Sequence, residues 1–155
     1  MGSGFKSQIA QKLIEKIGNV TIANGYSQDV KTVAFDKVKV NISDYADFEL
    51  PAVQLIDQSK KYNHEFSRSK SEWRIALELC MRTTSTLGVV DQQTLWDLEE
   101  DIVRAIMEVP NLGLNFLQHV TLTDEITDLH LQEPNYIAII GLEILYYEPI
   151  TRDNC

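Results

Sequence analysis

The sequence predicts an α+β domain: a mainly antiparallel β-sheet with an N-terminal helix and a central helix packed on one face. Three observations carry this. Apolar residues recur at helical spacing in two stretches, and they alternate strictly with polar ones in two others. The alternating stretches are joined by polar connectors of the kind that link antiparallel strands. At 155 residues, 44% hydrophobic and 24% charged, the chain has the size and composition of a single globular domain, 1–155. A chain of this size buries a core without a metal or disulfide staple.

The first helix is expected over Phe5–Ile17, where Phe5, Ile9, Leu13, Ile14 and Ile17 form one face and Lys6, Gln8, Lys12, Glu15 and Lys16 the other. Gly18-Asn19 supplies the stop. Residues 1–4 precede it as a flexible end without an apolar signal core. A turn at Asn24-Gly25 leads to a β-favouring run through Val30, Val33 and Phe35. Asn41–Glu49 reads as an acidic loop, and Leu50–Ile56 as a strand that tolerates Pro51 at its start. Asp57–Ser71 reads as a long polar connection, an extended hairpin loop. The clearest strand is Trp73–Met81, with Trp73, Ile75, Leu77, Leu79 and Met81 on one face.

After a small-residue linker, Asp91 is placed to cap a helix over Gln92–Glu108. Leu95, Leu98, Ile102, Ala105 and Ile106 form its buried face, and Asp97, Glu99, Glu100 and Asp101 its solvated one. Pro110 and Gly113 end it. Val120, Leu122 and Ile126 suggest one further strand face, with Thr121, Thr123 and Thr127 opposite. Tyr136–Tyr147 is the last strand, with Gly141 marking a bulge or a close approach. Residues 150–155 are expected to be a flexible end.

The formal net charge is -9, the wrong sign for a protein that wraps duplex DNA. Acidity fits both plain solubility and a channel that nucleic acid must slide past. Cys80 falls in a buried strand and Cys155 is the last residue. They make a poor disulfide pair, so both are expected as thiols in a reducing cytoplasm. No apolar run approaches the roughly 20 residues of a membrane span.

No motif for catalysis, for a metal or for a phosphate-cradling loop is present. Carboxylate pairs such as Asp44 with Asp47, or Glu99 with Glu100, read as surface runs. His119, Asp124, Asp128 and His130 are a candidate cation set, weighed against a solvated strand end. The charge distribution says more. Lys60, Lys61, Arg68, Lys70 and Arg74 gather in and beside the hairpin, while from Glu78 onward only Arg82, Arg104 and Arg152 are positive. Tyr62, His64 and Phe66 interleave with the basic residues. Such a basic, aromatic arm on an acidic body suits a contact surface, and it also suits a solvated hairpin. Stacking on single-stranded nucleic acid is a third reading, opposed by the overall charge.

The order of elements carries a resemblance. It consists of the first amphipathic helix, the strand opened by Leu50-Pro51-Ala52-Val53, the hairpin into Trp73–Met81, a helix of the form Leu95-x-x-Leu98-x-x-Asp101-Ile102-x-x-Ala105-Ile106, and the long final strand Tyr136–Tyr147. Over roughly Ile9–Pro149 this resembles the tail-terminator family of long-tailed bacteriophages, with its related minor tail and neck proteins. The resemblance implies a structural virion protein of the tail neck, assembled in the host cytoplasm and not an enzyme. Such a protein forms a homohexameric ring that caps the tail tube, ends its polymerisation and offers the head–tail joining surface. The implied partners are further copies of itself, the tail tube protein and a neck or head-completion protein, with the sheath protein a further candidate. DNA would be met only in transit through the lumen, with no membrane, cofactor, metal or catalytic residue. By the same resemblance, Lys60, Lys61, Tyr62, His64, Phe66, Arg68 and Lys70 would contact a neighbouring subunit or the tube. Asp44, Asp47 and Glu49 would face the lumen or an axial surface. The alternatives are a head-completion or stopper neck protein and, in a different class, a small metal- or ligand-binding domain or enzyme.

Overall fold

The computed structural model describes residues 4–35, 45–65, 68–82, 88–109, 111–128 and 135–149. Most of the two expected flexible ends lies outside them. Helix α1 runs Phe5–Gly18 and buries Ile9, Leu13 and Ile17. Its stop is the one expected: Asn19 donates its backbone N–H back to Glu15 at 3.1 Å. A short 3-10 turn, Ile22–Asn24, follows. The Thr21 hydroxyl accepts from the Asn24 N–H at 3.2 Å, and Gly25 leaves the turn at φ 90°, a conformation that glycine adopts without strain.

Five strands form one sheet: β1 Thr32–Phe35, β2 Ala52–Glu65, β3 Arg68–Arg82, β4 Leu117–Asp128 and β5 Asn135–Pro149. Their order is β1-β2-β3-β5-β4. β1 pairs parallel with β2, and every other pair is antiparallel. Helix α2, Gly88–Met107, joins β3 to β4. Both helices lie on one face, α1 over β1 and α2 over β5, and they touch each other. Between them and the sheet lies the core, with Leu13, Leu98 and Ile102 against Leu55, Ile75, Leu77, Ile140 and Leu142. Each fully buried side chain of this size contributes about 2 kcal/mol. Tyr45, Leu50, Ala52 and Cys80 form a smaller apolar cluster on the opposite face.

The α+β class and the one-sided helices are as expected, and four local readings are corrected. First, within Asp57–Ser71 the described residues 57–65 and 68–71 are paired strand, not a loop. β2 continues to Glu65 and β3 begins at Arg68, in register from Ser59↔Arg74 to Glu65↔Arg68. Polar residues on both faces of this ribbon hide the alternation that reveals a strand. Second, Ile126 does not share a face with Val120 and Leu122. A bulge between Leu122 and Asp124 inserts one residue, so Ile126 pairs with Ile139 on the helix-free face and is 56% exposed.

Third, α2 opens at Gly88, so Asp91 lies in its first turn and not at its cap, still where the helix dipole favours an anion. Fourth, Glu99 and Asp101 are buried, not solvated. The segment after α1 folds over α2, and Ser27 donates both its N–H and its hydroxyl to the Asp101 carboxylate.

Candidate functional site

The ribbon at the end of β2 and β3 owes its arrangement to one extra residue. Asp57 pairs with Ile75 and Ser59 with Arg74, so Gln58 is a bulge. Side chains alternate in a strand, and the bulge therefore swaps the faces of everything beyond it. Lys60, Tyr62 and His64 come to lie opposite Trp73, Ser71 and Ser69, on the helix side of the sheet. Lys61 lies opposite Glu72 on the reverse side, which it shares with Arg68 and Lys70. The basic cluster legible in the sequence is thus split between two faces. Phe66 lies outside the described residues.

On the helix side the groups interlock. The Asp57 carboxylate accepts from the Trp73 indole N–H at 2.8 Å and from the Lys6 ammonium at 3.1 Å. Lys6 Nζ also sits 4.9 Å from the Trp73 ring centroid. The Trp73 hydrogen bond, with help from Lys6, holds the Asp57 carboxyl below its ordinary range. Further out, the Lys60 ammonium pairs with the Glu148 carboxylate. It lies between two rings, 4.6 Å from the centroid of Tyr62 and 5.1 Å from that of Tyr146. The Ser71 hydroxyl donates to the same carboxylate at 3.1 Å.

Burial alone would lower the Lys60 ammonium and raise the Glu148 carboxyl. Their mutual hydrogen bond reverses both, so Lys60 is raised and Glu148 lowered. Burial pushes the Tyr146 phenol up to about 12. The Tyr146 and Ser69 hydroxyls are buried without a hydrogen-bond partner of good geometry.

The reverse face is simpler. The Arg68 guanidinium stacks 4.0 Å from the Tyr147 ring centroid, Lys70 lies 3.9 Å from Glu72, and Arg74 pairs with Glu143 at 3.2 Å. Lys61, Tyr62 and His64 are exposed, Tyr62 by 59%. Lys60 is committed inside the ribbon, so the ribbon's outward groups are Lys61, Tyr62, His64 and Arg68.

Two backbone edges accompany this surface. β1 pairs only with Ala52–Leu55. Among the described residues no strand pairs with β2 beyond Leu55 on that side, and none pairs with the outer edge of β4. An unpaired edge is a ready template for another strand.

The other candidates are placed as follows. Asp44 lies outside the described residues, and Asp47 and Glu49 bound a 3-10 turn. The Glu49 carboxylate accepts the Ala46 N–H at 2.8 Å, so it is engaged in closing its own turn. His119 and Asp124 share the helix-free face, opposite Leu145 and Gly141 of β5, and Asp128 is paired with Ile137 further along the strand. Successive members are therefore roughly 13 Å apart, too far to share one ion. His130 lies outside the described residues. Among those residues no group of three or more His, Cys, Asp or Glu is close enough to hold a metal, and no helix is long and apolar enough to cross a membrane. A shallow cleft of about 870 Å³ lies between the ends of α1 and α2, lined by Lys16, Asn24, Tyr26, Arg104, Met107 and Glu108. Its Arg104 is already occupied, stacked 4.4 Å from the Tyr26 ring centroid and donating to the Gly25 carbonyl at 3.1 Å.

Sequence reasoning missed Glu148 and Tyr146 as the partners of Lys60, because nothing local links positions 60 and 148. It also passed over Trp96 and Met107 on α2, 45% and 39% exposed. Both were detectable as large apolar residues off the face defined by Leu95, Leu98 and Ile102.

The fold defined here, a five-stranded mixed sheet with two helices on one face, is similar to that of a chain in the virion of a native gene transfer agent (GTA) particle. The TM-score is 0.51 over 93% of this chain and 95% of that one, at 6% sequence identity. The likeness spans nearly all of both chains and is one of fold. No protein-family model matches the sequence, and no curated protein does either.

Proposed function

We propose that this chain is a structural protein of a phage-like virion, and that it works as the ring that caps a tail tube. The observation carrying this reading is the fold likeness, over 93% of this chain, to a chain of a gene transfer agent virion. It agrees with the resemblance of the element order to the tail-terminator family. The two sheet edges without a strand partner among the described residues supply the means. A head-to-tail ring needs two different surfaces on each copy, and these edges lie on opposite sides of the sheet. The ribbon, with Lys61, Tyr62, His64 and Arg68 outward, offers a third contact, to a neighbour or to the tube.

The mechanism is steric. A ring of about six copies closes on itself, docks on the last ring of the tube and occupies the growing end, so no further tube subunit can add. The opposite face is then free for the neck. No bond is made or broken.

The test is imaging and native mass measurement of the purified protein, alone and with tube protein. Closed rings, or rings that form on tube ends, are expected. A stable monomer with no affinity for tube ends would falsify the reading. Capture by portal protein in preference to tube protein would move the assignment to a head-completion or stopper role.

A further inference from the structure

We draw no further inference here: the strongest candidate, the apolar surface patch where Ile126 of β4 stands exposed beside Ile139 of β5 on the helix-free face of the sheet, carries nothing because nothing in the structure shows what covers it.

Discussion

At Glu148 two opposing effects meet, and the winner can be measured. Burial favours the neutral acid, but hydrogen bonds from Lys60 and Ser71 favour the anion and prevail. Asp57 is held low in the same sense, chiefly by Trp73. A carboxyl whose folded pKa is depressed contributes stability that is full above the ordinary carboxylate range, near ~4, and is lost as pH falls through the folded value. Melting temperature should therefore drop below about pH 4, and Glu148→Gln should flatten that acid limb. The alkaline limb has the opposite sign. Lys60 and Tyr146 are raised, Tyr146 to about 12, so their contribution is full at neutral pH and is lost as pH climbs above the ordinary range near ~10. Tyr146→Phe should make that limb shallower. Lys60→Met removes one partner of a partly buried pair and should destabilise by about 1–3 kcal/mol, with much of the loss restored in the Lys60→Met/Glu148→Gln double variant; chemical denaturation of the four proteins measures it.

Gly141 is a residue whose role was readable in advance. A glycine inside an otherwise perfect alternating strand signals a close approach, and the structure supplies it. A Cβ there would stand 2.2 Å from both Asp124 Oδ1 and Thr123 Oγ1. Those two exposed side chains hydrogen-bond each other at 2.8 Å and can swing away. Gly141→Ala should therefore destabilise by only about 1 kcal/mol, with spectral changes confined to β4 and β5.

Among the elements, those that bury one face were plain in the sequence. α1, α2 and the central parts of β3 and β5 each show an apolar period, because one face meets the core and the other meets water. The ribbon half of β2 shows none, since neither of its faces is apolar. The bulges at Gln58 and between Leu122 and Asp124 were invisible for another reason. One added residue changes no composition, yet it reverses every facing beyond it. Hence Ile126 was placed on the wrong face, and Lys60, Tyr62 and His64 could not be separated from Lys61, Arg68 and Lys70. The parallel pairing of β1 with β2 depends on contacts between distant segments and leaves no local mark.

The Gln58 bulge makes a sharp expectation at this scale. Deleting Gln58 removes the bulge and leaves Ser59 opposite Arg74 and Lys60 opposite Trp73, so Lys60 and Tyr62 keep the helix side. The Lys60–Glu148 pair and both ring contacts of Lys60 should therefore persist. Retained Lys60–Tyr146 contacts in nuclear Overhauser spectra would show it. Loss of those contacts would mean that the register had been misread.

For the molecule as a whole, charge and edges matter more than any single group. The body is acidic, the ribbon carries the surplus of cations, and among the described residues no strand pairs with β2 beyond Leu55 on its outer side or with the outer edge of β4. In the proposed ring, further copies of the chain would pair these outer strands. The order of elements was legible in the sequence and carried the resemblance to the tail-terminator family. The surfaces that would build the proposed ring, the outer side of β2 beyond Leu55 and the outer edge of β4, emerged only once the strands had been assigned their neighbours. The most direct measurement is the length of tail tubes polymerised in vitro while this protein is titrated in. A capping ring should shorten the tubes as its concentration rises, with one ring at the growing end of each and no effect on mature ends already capped. Tubes that grow to the same length at every concentration, with the protein remaining monomeric in solution, would contradict it.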